Sequence, residues 1–433
     1  MTYTTAIEIR EKLCDALVAY FLNENDKLGL GIETRRIHDI CKILIAGNEE
    51  TSNTFPAWEI SEQTIFDEYR NKEVEIMDYL HLVSIDPRKK FGQYATPKDI
   101  VTRILKSVGY ISAKDILTKR LIDPACGSGA FLVEATRLYL NALKVARVPR
   151  HGWYPEVIAA ITGIDIDPEA CFFARLNLST LLAPSILEFI SRNGTGNLRP
   201  LPVYCADTLQ VVSSEKKNSP LFYGRPTIQV RERFDFVVGN PPYFKIKNIG
   251  QDIKDAFSES IYGHPNAYAL FIQAGIEMLN KDGRLGFIIP RSMLSGLYFK
   301  NLRNFIEINT SIKEIIHIAD RKKVFDDVLH GAMILSLERN SSEEKKISIS
   351  FVQSRKDIKD CDSTINVDAG KVMQHLNGTS VWFVADSAKV YNIIDRVIKR
   401  HHLLSGQEIN YRAKTGQIVW NRVKPLLATK PEE

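Results

Sequence analysis

An α/β fold, with a doubly wound and mostly parallel sheet behind a helical N-terminal region, is predicted by three features of this 433-residue sequence. Short apolar runs alternate with helical patterns from residue 89 to 352. A glycine-rich turn sits between one such run and a helix. Acidic or amide residues directly follow four of the runs. Strands that alternate with helices build βαβ units, and those units form parallel sheets with ligand sites at the carboxyl ends of the strands. Composition agrees: 44% apolar and 25% charged residues suit a large packed core.

The chain divides into three regions. Residues 1–88 read as a helical domain, because apolar residues recur at helical spacing in Ile9, Leu13, Ala16, Leu17 and Tyr20, and again in Ile37, Ile40, Cys41 and Leu44. The polar segment 47–56 reads as a loop. Within residues 89–352, the expected strands are 120–123, 161–165, 203–206, 234–239, 285–289, 315–318 and 333–337. The expected helices include 130–143, 168–181 and 267–279. Residues 353–433 are mixed, with a helix expected over 386–399.

Several classes are disfavoured. The six cysteines form no CxxC pair, which argues against a zinc site or a disulfide framework and fits a reducing cytoplasm. The N-terminus lacks the apolar core of a signal peptide. No apolar run approaches the roughly 20 residues of a membrane span, so no membrane partner is expected. A net charge of +5 permits nucleic acid without demanding it.

The first strand runs into Asp123-Pro124-Ala125-Cys126-Gly127-Ser128-Gly129-Ala130-Phe131. Glycines let a backbone approach a ligand closely, and amides at a helix start favour polar or anionic groups. Asp123 opposes a pyrophosphate, since like charges repel, and suits a zwitterion: an amino-acid group beside a sulfonium fits. The second strand ends in Asp165-Ile166-Asp167-Pro168. Asp165 is the expected acceptor for ribose hydroxyls and Ile166 packs on an adenine face, whereas Asp167 with Pro168 reads as a helix cap. Asp207, after the third strand, either accepts from an adenine amino group or caps a helix or turn.

The fourth strand ends in Asn240-Pro241-Pro242-Tyr243. Two prolines fix the backbone and remove two donors. A conjugated amino group is a poor nucleophile because its lone pair is delocalised. Two fixed acceptors, the Asn240 side-chain oxygen and the Pro241 carbonyl, can bond both amino hydrogens and free that lone pair to attack a methyl sulfonium. Tyr243 offers an aromatic face to a base. A duplex base reaches such a site only by flipping out of the stack.

These residues resemble the amino-group DNA methyltransferases of restriction–modification systems, in the gamma arrangement, through ordered motifs from about residue 88 to 340. Phe91-Gly92-Gln93-Tyr94-Ala95-Thr96-Pro97 is similar to the cofactor motif that precedes the glycine turn. The resemblance implies S-adenosylmethionine as cofactor, held by Tyr94, Thr96, Pro97, Asp123, Ala125, Gly127, Gly129, Phe131, Asp165, Ile166, Asp207 and Phe271, with no metal. It implies catalysis by Asn240, Pro241, Pro242 and Tyr243, with the leading Asn pointing to N6 of adenine. It implies a flipped base held by Tyr243 and Phe325, a seven-stranded catalytic domain, and a target recognition domain after it, of which residues 411–427 resemble an opening. Double-stranded DNA and a specificity or restriction subunit are the implied partners. A protein glutamine methyltransferase, which shares the Asn-Pro-Pro-Tyr sequence, and an RNA amino-methyltransferase remain as alternatives. A scaffold with a degenerate fold predicts damage at Asn240, Tyr243 or the glycines, and none is present. A dinucleotide-dependent dehydrogenase leaves Asn240–Tyr243 unexplained.

Overall fold

The computed structural model describes residues 3–45, 96–111, 114–216, 229–318, 331–339, 346–352, 355–358, 364–376 and 378–400. The expected loop at 47–56, Tyr94, Phe325 and residues 411–427 lie outside them.

Eleven strands are present among the described residues: β1 (Leu121–Asp123), β2 (Ile161–Asp165), β3 (Val203–Cys205), β4 (Phe234–Gly239), β5 (Leu279–Pro290), β6 (Thr310–Ile318), β7 (Ala332–Arg339), β8 (Lys346–Val352), β9 (Thr364–Asp368), β10 (Met373–Leu376) and β11 (Thr379–Trp382). Nine of them form one sheet in the order β3-β2-β1-β4-β5-β7-β6-β8-β9. The first four pairings, from β3 across to β5, are parallel, and β7 enters antiparallel between β5 and β6. Seven strands were expected. The sheet gains β8, parallel to β6, and β9, antiparallel to β8, so it continues beyond residue 352. The β10–β11 hairpin forms a separate two-stranded sheet.

Twelve α-helices cover these strands among the described residues. They are α1 (Tyr3–Leu28), α2 (Thr34–Ile45), α3 (Lys98–Ser107), α4 (Ala130–Val145), α5 (Trp153–Ala160), α6 (Pro168–Asn193), α7 (Thr208–Lys216), α8 (Gln251–Ala256), α9 (Ala267–Met278), α10 (Lys300–Asn309), α11 (Ala369–Val372) and α12 (Ala388–Arg400). The strands alternate between two cores. Phe236 and Val238 of β4 join one with α1 to α6, and Val237 joins the other with α7 to α10. Side chains of a strand point to opposite faces with period 2, so a two-sided buried sheet reads as a continuous apolar run.

Helix α6 runs past the expected end at 181, because Pro184 is accommodated inside it. A proline there removes one backbone hydrogen bond and ordinarily marks a helix end. By length and hydropathy α6 could cross a membrane, but 72% of the relevant window is buried within the protein. It is a core helix: the sheet packs on one side, and Leu13, Leu17, Phe21, Ile40 and Leu44 of α1 and α2 share its core. The N-terminal helices thus share a hydrophobic core with α6.

Phe21 is fully buried in that core. Phe21→Ala is expected to lower the unfolding free energy by about 3–5 kcal/mol, the range for a buried aromatic truncated to alanine. Denaturant titration checks it. An unchanged midpoint would place α1 outside the cooperative unit.

Candidate active site

The carboxyl ends of β1, β2, β3 and β4 lie side by side, so the register brings the sequence-predicted residues together. Asp123 pairs with Gly163, and Asp165 with Cys205. Gly163 is required there, since a Cβ would lie 2.5 Å from Leu132 Cδ1 and 3.1 Å from Cys126 Sγ.

The glycine turn is tied down at three points. The Cys126 amide donates to Ile164 O at 2.9 Å, Thr208 Oγ1 donates to Pro124 O at 2.5 Å, and Asn177 Nδ2 donates to Ser128 O at 3.0 Å. Gly127 and Gly129 have φ of +52° and +90°. A Cβ on Gly129 would sit 3.1 Å from Ala174 Cβ of α6, whereas one on Gly127 would meet nothing within 4 Å. Gly129 therefore serves helix packing and Gly127 faces open space.

Asp165 is 8% exposed, and both carboxylate oxygens accept backbone amides: Oδ2 from Gly127 at 2.8 Å and Oδ1 from Asp167 at 2.9 Å. Burial raises its pKa, and these amides oppose the rise. Ile166 beside it is 64% exposed, which is unusual for a large aliphatic side chain and suits a planar ligand face. Asp167 caps α6 by accepting from Glu169 N at 3.0 Å, with Pro168 at the first position, as the sequence indicates. Asp207 Oδ1 accepts from Leu209 N at 2.9 Å, so the cap reading is realised, and burial raises its pKa too.

Asp123 is 1% exposed. Its Oδ1 accepts from Ala125 N at 3.0 Å, while Oδ2 is buried with no hydrogen-bond partner among the described residues. Burial pushes its pKa well up, the Ala125 amide lowers it, and Asp165 raises it further. A Cβ on Gly239 would come within 2.7 Å of Asp123 Oδ1, so the orphaned carboxylate lies against the residue that precedes Asn240.

Asn240 Nδ2 donates to Thr96 Oγ1 at 3.1 Å, and its Oδ1 accepts from the Tyr243 hydroxyl at 2.6 Å. The Tyr243 hydroxyl also lies 2.7 Å from Ile288 O of β5. Pro241 is buried, and Pro242 and Tyr243 are half-buried. The Tyr243 ring meets Tyr268 edge-on at 6.1 Å, and Tyr268 stacks on Phe299 at 5.2 Å. Sequence reasoning assigned Thr96 to a cofactor. Its contact with Asn240, the Tyr243–Tyr268 contact and the Tyr268–Phe299 stack carry no sequence signal, because they arise from packing across 144, 25 and 31 residues of chain respectively. Pro97 begins α3. Phe131, the second residue of α4, is 2% exposed and packs in the first core. Phe271 lies in the second core at 9% exposure. Among the described residues, no group of three His, Cys, Asp or Glu could hold a metal ion.

Residues 159–325 match the family model described as Eco57I restriction-modification methylase, and residues 112–199 match one described as RMKL-like, methyltransferase domain. The chain is 32% identical over 301 residues to the type II methyltransferase M.AccI of Acinetobacter calcoaceticus, a match covering 68% of this chain and 45% of that protein. It is 27% identical over 315 residues to the type II restriction enzyme and methyltransferase RM.Eco57I of Escherichia coli, covering 64% of this chain and 31% of that protein. The chain therefore spans less than half the length of these relatives. In fold it is similar to a modification subunit assigned to a type I restriction enzyme of Vibrio vulnificus YJ016, with TM-score 0.52 and 15% identity over 75% of this chain and 65% of that one. The sequence matches relate the chain to type II restriction–modification methyltransferases, and its fold resembles that of the modification subunit.

A carboxylate whose pKa is raised on folding binds its proton more tightly in the native state. Stability then falls as pH rises from the ordinary carboxylate range through the raised value. Asp123→Asn removes that penalty, so the ligand-free variant is expected to melt higher than the native chain at pH 8, with a smaller difference at pH 4. Thermal melts at the two pH values check this. A variant that melts lower at both would show the carboxylate to be a net stabiliser.

Proposed function

We propose that this chain is the modification methyltransferase of a restriction–modification system, transferring a methyl group to the N6 amino group of a flipped adenine in double-stranded DNA. The observation that carries this reading is the placement of Asn240. Its amide is fixed by Thr96, and it follows directly on the glycine that lies against the buried, orphaned Asp123 carboxylate. The acceptor for an amino group is thus adjacent to the pocket for a cationic ligand.

The residues fit S-adenosylmethionine. Asp123 offers an unsatisfied acceptor to an ammonium, and Gly127 leaves open space for its amino-acid end. Asp165 and Ile166 suit the ribose and the adenine face, and Asp207, Ala125, Gly129 and Phe271 complete the surround. When bound, this cofactor supplies an electrophilic methyl group on a sulfonium.

The chain's own residues do the rest. The Thr96 oxygen accepts an amide hydrogen of Asn240, so Asn240 Oδ1 faces the other way, toward Tyr243. Asn240 Oδ1 and the Pro241 carbonyl then accept the two amino hydrogens and localise the nitrogen lone pair. Proton loss follows methyl transfer, so no strong base is required. Tyr243 stacks on the base, and Tyr94 and Phe325 are assigned to the cofactor and to the base by resemblance. The modification role of the relatives supports DNA as substrate, and a specificity or restriction subunit as partner.

With tritiated S-adenosylmethionine and unmethylated duplex DNA, label is expected in N6-methyl-deoxyadenosine after digestion, and Asn240→Ala abolishes it. Label in N4-methyl-deoxycytidine would move the specificity to cytosine. Thr96→Val, which removes the acceptor that orients Asn240, is expected to lower kcat about tenfold, the loss of roughly one neutral hydrogen bond. Unchanged kcat would mean that Asn240 is oriented by other contacts.

A further inference from the structure

A cavity of about 550 Å³ opens at the carboxyl ends of β5 and β6. Arg291, Ser292, Ser295 and His317 form one wall, and residues 381–384 of the β11 edge form the other. It adjoins the proposed active site. Ile288, whose carbonyl meets the Tyr243 hydroxyl, is three residues before Arg291, and the Tyr268 hydroxyl lies 3.2 Å from Ser292 Oγ. Tyr268 in turn meets the Tyr243 ring.

The electrostatics are one-sided. Arg291 Nη1 donates to His317 Nε2 at 2.6 Å, and among the described residues no carboxylate lines the cavity or pairs with Arg291. The imidazole is held neutral: burial, then the Arg291 charge, lower its pKa to about 4. A neutral imidazole that accepts from Nη1 orients the guanidinium without cancelling its charge. Gly331 brings the backbone close behind it, since a Cβ there would lie 2.8 Å from Arg291 Nε. A half-buried guanidinium with no counter-ion among the described residues calls for an anion, and its planar donor fork fits a phosphodiester. The wall behind is rigid: buried Arg303 donates to Ser380 O at 2.7 Å and to Met293 O at 2.6 Å, pinning hairpin and loop together.

We propose that Arg291, oriented by His317, binds a DNA backbone phosphate beside the nucleotide to be methylated. This rests on the reading of the chain as a DNA methyltransferase and adds an anchoring residue that the motifs do not include. Such a contact fixes the strand while the base turns into the site.

The test is fluorescence anisotropy of the full chain with a labelled duplex across a salt series, beside calorimetric titration of S-adenosylmethionine. Arg291→Ala is expected to weaken duplex binding about tenfold, the loss of one charge-assisted contact. It should reduce the salt slope by about 0.9, the value for one phosphate. Cofactor affinity and melting temperature should stay unchanged, and Arg291→Lys should recover the slope. Gly331→Ala keeps the charge and displaces only the flexible end of Arg291, so it should fall between the native chain and Arg291→Ala. An unchanged salt slope in Arg291→Ala overturns the proposal, as does an effect that vanishes on a duplex lacking the target base, which would make the cavity a base pocket. A joint fall in cofactor affinity and melting temperature also overturns it. If the native chain binds cofactor but no duplex at all, it is the DNA-methyltransferase reading that fails.

Discussion

The Asp165 carboxylate is the interaction on which the site depends. It is taken out of water at the end of β2, and each of its oxygens accepts a backbone amide, one from the glycine turn and one from the start of α6. A buried carboxylate is costly unless it is hydrogen-bonded, and here the bonds are to main chain that can go nowhere else. The same two bonds hold Gly127 in its left-handed conformation and set where α6 begins. One charged group thereby fixes the shape of the turn, the origin of the core helix, and the position of Ile166 at the surface.

That arrangement also sets the electrostatic character of the cleft. Asp123 lies on the neighbouring strand, and Asp165 raises its pKa beyond what burial alone does. Two close carboxylates in a low-dielectric cleft repel anions and reward a cation. A cofactor with both an ammonium and a sulfonium satisfies that preference, whereas a dinucleotide pyrophosphate would add to the repulsion. The fold leaves the choice of ligand open, and the acidic residues at its strand ends make the selection.

What the sequence discloses is local, and what it hides is assembled at a distance. β2 and β4 begin and end where their apolar runs do, and the Asp167 cap follows from Asp-Pro beside a helical pattern. The position of Asn240 is readable for the same reason, since two prolines after a buried run have few structural uses. Helix α6 is different: Pro184 signals a stop, yet packing against α1, α2 and the sheet carries the helix through it. β8 and β9 alternate single apolar residues with polar ones, Ile347, Ile349 and Phe351 in one and Ile365 and Val367 in the other, a weaker signal than the continuous apolar runs of the central strands. Thr96 is recognisable as a motif residue, but its bond to Asn240 depends on α3 being folded against the sheet.

Under the proposed function, the geometry around Asn240 sets a condition on how a base would enter. The Tyr243 hydroxyl has one proton and two acceptors, Asn240 Oδ1 and Ile288 O, at nearly equal distances. Its one proton can be donated fully to only one of them at a time. Displacing the hydroxyl from Asn240 leaves it bonded to Ile288 O, and the exchange of one N–H or O–H donor for another at Oδ1 is close to neutral. The backbone need not move, because Pro241 and Pro242 hold it. An amino group entering the site therefore gains an oriented acceptor at the expense of half a shared hydrogen bond.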